Sequence, residues 1–207
     1  MSDQHLNSSS QCQLQIINEE AMNVLGAQLA ALAPTGIIIY LKGDLGAGKT
    51  TLVRGFLRAL GYQGAVKSPT FTVVEPYSLD YNKLYNYNKL QESLKLKNKI
   101  ESVTGHKPEN SHKPENSHEP EKSSLKVYHF DLYRLEDPEE LEYMGIRDYL
   151  DGQAIALIEW PEKGIGVLPG ADLIIIITHR NQGRGVELVS QSANGAEIVS
   201  KLVSDTV

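Results

Sequence analysis

The sequence has very little cysteine and no long apolar run, and both absences narrow the class of protein. Among 207 residues only Cys12 is a cysteine, so no disulfide can form within the chain, and we expect the reducing cytoplasm as its compartment. The longest apolar runs, residues 36–41 and 173–177, fall far short of the ~20 residues that cross a bilayer. The first ten residues have neither a basic start nor an apolar centre, so we expect no secretory signal.

Positive charge is also in deficit. Lysine and arginine number 20 against 26 aspartates and glutamates, which gives a formal net charge of −6. This balance disfavours a dedicated nucleic-acid binder and gives no reason to expect contact with DNA or a membrane. The length suits one domain, and we predict a flexible tail at residues 1–15 followed by a single domain over 16–207.

A low-complexity insert interrupts the predicted domain at about 81–125. Its unit His-Lys-Pro-Glu-Asn-Ser occupies residues 106–111, recurs at 112–117 and returns in degenerate form at 118–123. A six-residue period rich in proline, glutamate, asparagine and serine cannot bury a core, so we predict a disordered segment. Its three histidines could ligate a metal, but spaced, solvated histidines rarely do, and we assign them no metal role.

The apolar periodicity predicts strands alternating with helices. The first helix is expected to run from the capping residue Asn18 to about Pro34, and a second is expected to end at Gly61. Two further helices are expected over 137–150 and 196–203. Strands are expected at 36–41, 126–133, 154–158, 172–178 and 186–190, and 68–77 is a loop leading into a short extended segment. The pattern predicts an α/β sheet that is parallel at its centre, with antiparallel strands toward the carboxyl-terminal edge and helices on its faces.

Residues 43–50 match the phosphate-binding pattern G-x-x-x-x-G-K-[ST] in full, between a predicted buried strand and a predicted helix. In this position the glycines let backbone N–H groups turn inward, and the helix dipole adds to this anion cradle. Lys49 opposes that dipole, which is unfavourable unless an anion is present. We therefore predict a nucleotide whose β- and γ-phosphates meet Lys49 and whose Mg²⁺ meets the Thr50 hydroxyl. The alternative is a glycine-rich turn with an accidental lysine.

Two acidic residues follow or end predicted strands. Glu159 directly follows the apolar run 155–158. Because the carboxyl end of a parallel strand faces the same edge of the sheet as the phosphate loop, Glu159 could hold the Mg²⁺. The alternative is a solvated glutamate at the end of a strand. If its strand lies beside the strand before the phosphate loop, Asp131 could orient an attacking water or hold a water bound to Mg²⁺; the alternative is that it caps the turn that follows it. The hydroxyls of Ser68 and Thr70 could form a switch loop near the phosphates, although proline beside serine is also common in ordinary loops.

Taken together, these segments resemble the bacterial TsaE (YjeE) family of P-loop ATPases, which works in threonylcarbamoyladenosine modification of tRNA. The resemblance spans roughly 16–80 and 126–200, and the insert is its main departure. It rests on five blocks in the family's order, which are residues 43–51 (GDLGAGKTT), 68–77 (SPTFTVVEPY), 129–134 (HFDLYR), 140–147 (ELEYMGIR) and 158–161 (IEWP).

The resemblance implies a P-loop NTPase-like fold and a set of site residues. ATP would be bound by Leu45, Gly46, Ala47, Gly48, Lys49, Thr50 and Thr51, with Asn18, Trp160 and Arg184 as further nucleotide contacts. Mg²⁺ would be held by Thr50 and Glu159, and catalysis would depend on Asp131, Thr70 and Lys49.

By the same resemblance the partners would be the TsaD and TsaB proteins, with tRNA met through their complex. ATP hydrolysis would reset that assembly between turnovers. No arginine finger is evident near the phosphate loop, so we expect slow hydrolysis without partners. A small-molecule or nucleotide kinase and a non-catalytic, nucleotide-gated scaffold remain open as alternatives.

Overall fold

The computed structural model describes residues 10–80 and 124–204, and a seven-stranded mixed sheet runs through them. The strands follow the order β1-β7-β6-β2-β5-β4-β3 across the sheet. Their bounds are β1 Gln11–Ile16, β2 Ile38–Lys42, β3 Val74–Asp80, β4 Ser124–Asp131, β5 Ile155–Glu159, β6 Leu173–His179 and β7 Arg184–Ser190.

The central strands are parallel, as the alternation of strands and helices predicts. β2 pairs in parallel with both β5 and β6, and β4 pairs in parallel with β5. Antiparallel pairing of β6 with β7 and of β7 with β1 confirms the predicted carboxyl-terminal edge. The opposite edge is antiparallel as well, because the edge strand β3 pairs in antiparallel fashion with β4.

Helices cover the sheet on both faces, with bounds α1 Glu19–Leu32, α2 Lys49–Ala59, α3 Glu140–Tyr143, α4 Ile146–Tyr149 and α5 Ala193–Ser204. The Asn18 side chain caps α1 by accepting a 2.8 Å hydrogen bond from the Ala21 amide. α1 and α2 touch backbone to backbone. A Cβ at Gly26 would lie 2.2 Å from the Leu52 carbonyl oxygen, so only glycine permits this crossing.

The core consists of two apolar clusters, one on each face of the sheet. Alternate residues of β5 supply both: Ile155 and Leu157 pack in the larger cluster with α1, α2 and α5, and Ala156 and Ile158 pack in the smaller one with α3 and α4. All five residues of β5 are buried. This places the end of β5, at Glu159, in the interior of the protein.

The structure corrects one prediction of a tail and one prediction of a strand. Residues 11–15, assigned to a flexible tail, belong to β1, and the hydrogen bonds of its antiparallel pairing with β7 hold it in place. Residues 1–9 of that predicted tail lie outside the described residues. The strand predicted at 36–41 begins at Ile38, and only one of its faces is fully buried, because Ile38 and Tyr40 on the other face are half-buried.

The helix predicted over 137–150 is divided into α3 and α4. The capping hydrogen bonds typical of a helix start form at Asp137, since its amide donates to Glu140 Oε1 at 3.0 Å and the Glu139 amide donates to Asp137 Oδ1 at 2.9 Å. The helix itself begins three residues later than predicted, at Glu140. Gly145 then takes a left-handed conformation with φ 72°, which interrupts the helix.

The predicted insert falls between the paired ends of β3 and β4, where Asp80 lies opposite Ser124. Residues 81–123 lie outside the described part of the chain, so the prediction of disorder stays a prediction. Its last two residues, 124 and 125, are instead part of β4. Within 10–80 and 124–204, no helix combines the length and the apolar character needed to cross a bilayer.

Candidate active site

Three parallel strands bring the predicted site residues to one edge of the sheet. In the register of the sheet, Glu159 at the end of β5 lies opposite Leu41 of β2 on one side and Asp131 of β4 on the other. The phosphate loop, residues 43–48, leaves the end of β2 and leads into α2. The loop and both carboxylates therefore share one edge, because parallel strands end together. The expected neighbourhood of Asp131 is corrected, since β4 lies beside β5 and not beside β2, the strand before the loop.

The shape of the phosphate loop depends on glycine. Gly43 has φ 141°, and a Cβ there would lie 2.3 Å from the carbonyl oxygen of Ile177 on β6. Gly46 has φ 75° with no atom within 4 Å of such a Cβ, so the backbone at that point is open to a ligand. The first glycine lets the loop pack on the sheet, and the second leaves room for a large anion.

Lys49 lies at the base of this loop, with 4% of its surface exposed. Its Nζ donates to the carbonyl oxygens of Gly43 at 2.6 Å and Asp44 at 2.9 Å, and it lies 4.1 Å from the centroid of the Trp160 ring. Burial lowers the pKa of Lys49, and the nearby carboxylates, Glu159 foremost, oppose that shift. Two of the three ammonium hydrogens are occupied, which leaves one for a phosphate oxygen.

Glu159 Oε1 has two hydrogen-bond partners. Thr50 Oγ1 donates to it at 2.8 Å, and His129 Nε2 lies 2.9 Å from the same oxygen. Because the threonine hydrogen is directed to Glu159, the lone pairs of the hydroxyl oxygen remain for a cation. A hydroxyl and a carboxylate are the hard oxygen ligands that Mg²⁺ prefers, so the residues present fit that ion.

Asp131 ties a loop to the end of β4. Its Oδ2 accepts hydrogen bonds from the hydroxyls of Ser68 and Thr70, the latter at 2.9 Å. Its Oδ1 accepts from the Tyr133 amide at 3.0 Å, which is the turn-capping contact considered as the alternative role. Asp131 therefore caps the turn and also contacts the predicted switch loop.

Two cavities flank the phosphate loop and share Gly46, Gly48 and Thr51. One, of about 450 Å³, is lined by Leu45, Gly46, Gly48, Lys49, Thr50, Thr51, Ser68, Thr70, Asp131, Tyr133, Arg134, Glu159 and Trp160. The other, of about 400 Å³, is lined by Ile16, Ile17, Asn18, Glu19, Met22, Gly46, Ala47, Gly48, Thr51, Gly183 and Arg184. Each has the size that small-molecule sites occupy, and the three shared residues lie at the head of α2.

Arg184 supports the loop from the second cavity. Its Nε donates to the Ala47 carbonyl oxygen at 3.0 Å and its Nη2 to that of Gly46 at 3.3 Å, so β7 holds the loop from outside. Of the predicted site residues, Asn18, Ala47 and Arg184 line the second cavity and the others the first, with the shared residues lining both. The structure thus brings all of them around one loop.

Sequence reasoning missed two residues of the site, His129 and Arg134, and it named Ser68 without its contact to Asp131. His129 stands two residues before Asp131 on one strand, and this spacing places both on one face, a signal that was present in the sequence. Arg134 lines the first cavity, with its guanidinium 4.0 Å from the centroid of the Phe71 ring. Only the folded chain shows that proximity. This placement does not test the expected lack of an arginine finger, which stays a prediction.

Comparison with known families gives one match that covers most of the chain. The model for "Threonylcarbamoyl adenosine biosynthesis protein TsaE" matches residues 16–103 and 87–186. The chain belongs to the TsaE family. The resemblance drawn from the five sequence blocks is thereby confirmed.

Individual TsaE proteins agree with this assignment. The chain is 42% identical over 164 residues to the tRNA threonylcarbamoyladenosine biosynthesis protein TsaE of Haemophilus influenzae, an alignment that covers 79% of this chain and 77% of the relative. It is 30% identical to the TsaE protein of Bacillus subtilis, over 78% of this chain and 73% of the relative. The crystal structure of YdiB from Bacillus subtilis matches with a TM-score of 0.64 at 22% identity, over 96% of this chain and 98% of the other, which shows the shared fold.

Proposed function

We propose that this TsaE chain binds Mg-ATP and hydrolyses it in the biosynthesis of threonylcarbamoyladenosine in tRNA. One observation carries the proposal. Around a single 450 Å³ cavity at the head of α2 stand an ammonium, a hydroxyl hydrogen-bonded to a buried carboxylate, and a second buried carboxylate, from Lys49, Thr50, Glu159 and Asp131. This is the set of groups that triphosphate hydrolysis requires.

The binding roles follow from the chemistry of each group. The amides of the phosphate loop and the Lys49 ammonium bind phosphate oxygens, and the cavity beside Asn18 and Arg184 accepts the rest of the nucleotide. Thr50 and Glu159 would hold Mg²⁺, which supplies positive charge to the phosphate oxygens when it is bound. Trp160 covers the Lys49 ammonium from one side and limits its contact with water.

For hydrolysis we assign the water-orienting role to Asp131. In this step a water oxygen attacks the γ-phosphorus, the bond to the oxygen bridging β and γ breaks, and ADP leaves with inorganic phosphate. The Asp131 carboxylate accepts a hydrogen bond from that water. Thr70 donates a hydrogen bond to the same carboxylate, so the position of Thr70 is linked to that of Asp131. A movement of the loop that carries Ser68 and Thr70 would couple hydrolysis to partner proteins.

The pathway role extends the family assignment to this chain. The similar proteins are named for tRNA threonylcarbamoyladenosine biosynthesis. We propose that this chain acts in the cytoplasm with TsaB and TsaD, meets tRNA through them, and resets their assembly by hydrolysing ATP. The resemblance supports these partners. Stimulation of hydrolysis by TsaB, TsaD and tRNA would support the role, and unchanged hydrolysis in their presence would reject it.

Calorimetric titration of Mg-ATP tests the binding step. We expect wild-type protein to bind ATP and Lys49→Ala to lose binding, because the buried ammonium at the phosphate loop is removed. Lys67→Ala is the matched control, since Lys67 is exposed and lies outside both cavities. Equal binding by Lys49→Ala, or no uptake of ATP by wild type with magnesium and partners present, would contradict the proposal.

Asp131→Asn separates hydrolysis from binding. We expect it to bind ATP as wild type does and to lose about 100-fold or more in hydrolysis rate, the lower end of what a positioned acid–base group contributes. Full hydrolysis by this variant would reject the role of Asp131. A phosphorylated product in a metabolite panel incubated with Mg-ATP would instead support the kinase alternative.

A further inference from the structure

His129 is fully buried, with 0% of its surface exposed, and its ring contacts the carboxylate of Glu159. The Glu159 side chain is itself only 4% exposed. A buried carboxylate needs hydrogen-bond donors, and within 10–80 and 124–204 its partners are Thr50 and His129, both on Oε1. Glu159 Oε2 accepts no hydrogen bond from Thr50 or His129. The Glu159 side chain lines the first cavity, beside the phosphate loop.

The direction of the His129 contact follows from its partner. An ionised carboxylate only accepts hydrogen bonds, so Nε2 carries the hydrogen and donates it to Glu159. The other ring nitrogen, Nδ1, is the one buried side-chain nitrogen or oxygen without a hydrogen-bond partner in the part of the chain that the structure describes. The ring is therefore committed through one nitrogen to one carboxylate oxygen.

A histidine with one unpartnered ring nitrogen makes the folded protein less stable than an apolar residue at the same position would. A buried polar atom left without a partner is destabilising. His129 lies between Tyr128 and Phe130 on β4, in a strand whose buried face holds Val127. Leucine or valine would fill such a position without that cost. What histidine adds is one N–H directed at Glu159.

We propose that His129 is a positioning residue that fixes the Glu159 carboxylate so that Oε2 is presented to the nucleotide-bound Mg²⁺. The inference rests on the proposed function. With Oε1 held by His129 and Thr50, the carboxylate cannot rotate, and the Thr50 hydroxyl keeps its lone pairs toward the cation. Hydrogen-bonding partners of metal ligands typically change metal affinity by about 10- to 100-fold, and His129 is such a partner.

The test compares two side chains that differ in reach. His129→Gln places an amide N–H near the position of the Nε2–H, whereas His129→Asn is polar but too short to reach Glu159 Oε1. ATP binding is measured by calorimetry with magnesium and with a chelator in its place. We expect His129→Asn to lose about tenfold or more of the magnesium-dependent gain in affinity while its binding in chelator is unchanged, and we expect His129→Gln to keep the gain.

Two outcomes overturn the proposal. His129→Asn with the full magnesium-dependent gain shows that the contact positions nothing, and equal weakening with and without magnesium shows a purely structural role. Failure of the proposed function is distinguishable, because wild-type protein would then bind no ATP under either condition.

A measurement on wild-type protein keeps the proposal testable if His129→Asn does not fold. Nitrogen-15 spectra of the histidine rings report which nitrogen carries the hydrogen, and among the six histidines the His129 signals are those missing in His129→Gln. We expect hydrogen on Nε2 and a shift of that signal when Mg-ATP is added but not when ATP is added with chelator. A neutral ring with its hydrogen on Nδ1, or a signal indifferent to magnesium, rejects the proposal.

Discussion

Replacing Gly43 by alanine tests how the phosphate loop is attached to the sheet. Alanine at φ 141° adopts a backbone conformation that L-residues avoid, at a cost of about 1–3 kcal/mol. Its Cβ would also stand 2.3 Å from the Ile177 carbonyl oxygen, which is backbone and can yield only if β6 moves. Such overpacking costs a further ~1–3 kcal/mol. We therefore expect Gly43→Ala to lower the free energy of unfolding by about 4 kcal/mol.

Gly46→Ala is the matched control, because it makes the same chemical change in the same loop. Gly46 has φ 75°, and a Cβ there meets no atom within 4 Å, so only the left-handed conformation is penalised, at about 1 kcal/mol. For a protein of this size each kcal/mol shifts the melting temperature by about 2–4 °C. The expected decreases are about 8–16 °C for Gly43→Ala and about 2–4 °C for Gly46→Ala.

Thermal and urea unfolding of the two variants, followed by circular dichroism without nucleotide, measure the difference. Equal destabilisation of the two variants would refute the reasoning, since it would show that the contact with β6 adds nothing to the conformational cost. A Gly43→Ala variant within about 1 kcal/mol of wild type would refute it as well.

Three further predictions concern other parts of the molecule. Burial raises the pKa of Tyr77 to about 12 from its ordinary value of 10.0. Between these two pH values the tyrosine loses its proton in the unfolded chain before it does so in the folded protein. The stability that Tyr77 contributes is therefore complete below pH 10 and is lost as the pH rises toward 12. Urea unfolding gives the free energy of unfolding at about pH 8 and at about pH 11. That free energy should fall less between the two pH values for Tyr77→Phe than for wild type, and equal decreases would contradict the raised pKa of Tyr77. Arg184→Ala should weaken ATP binding about tenfold in calorimetry by removing two hydrogen bonds to the phosphate loop. Arg180→Ala should not, because Arg180 makes no hydrogen bond to that loop within the part of the chain that the structure describes, and equal effects of the two variants would reject the supporting role. Replacing residues 81–123 by Asn-Gly should leave folding and ATP binding unchanged, because the strand ends it joins are directly paired, and loss of either would show that the segment contributes to the domain.

Much of the site was within reach of sequence reasoning because its residues stand at the ends of elements. Asn18 caps α1, and Glu159 ends a parallel strand, so strand polarity was enough to bring Glu159 to the phosphate loop. The place of Asp131 also depended on the strand order, because its strand β4 pairs with β5 and not with β2, the strand before the loop. β1 was missed although its glutamines alternate with Cys12 and Leu14, because a polar segment near a chain end was read by composition and not by its period of two.

The sequence by itself determined the phosphate-binding motif, the alternation of strands and helices and the family, because these depend on residue type and on spacing along the chain. Only the tertiary structure decided that Arg134 lines the cavity, that Arg184 holds the loop from another strand, and that the buried His129 contacts Glu159. Such contacts join residues distant in sequence, and their geometry follows from sheet register and packing, which no local pattern encodes.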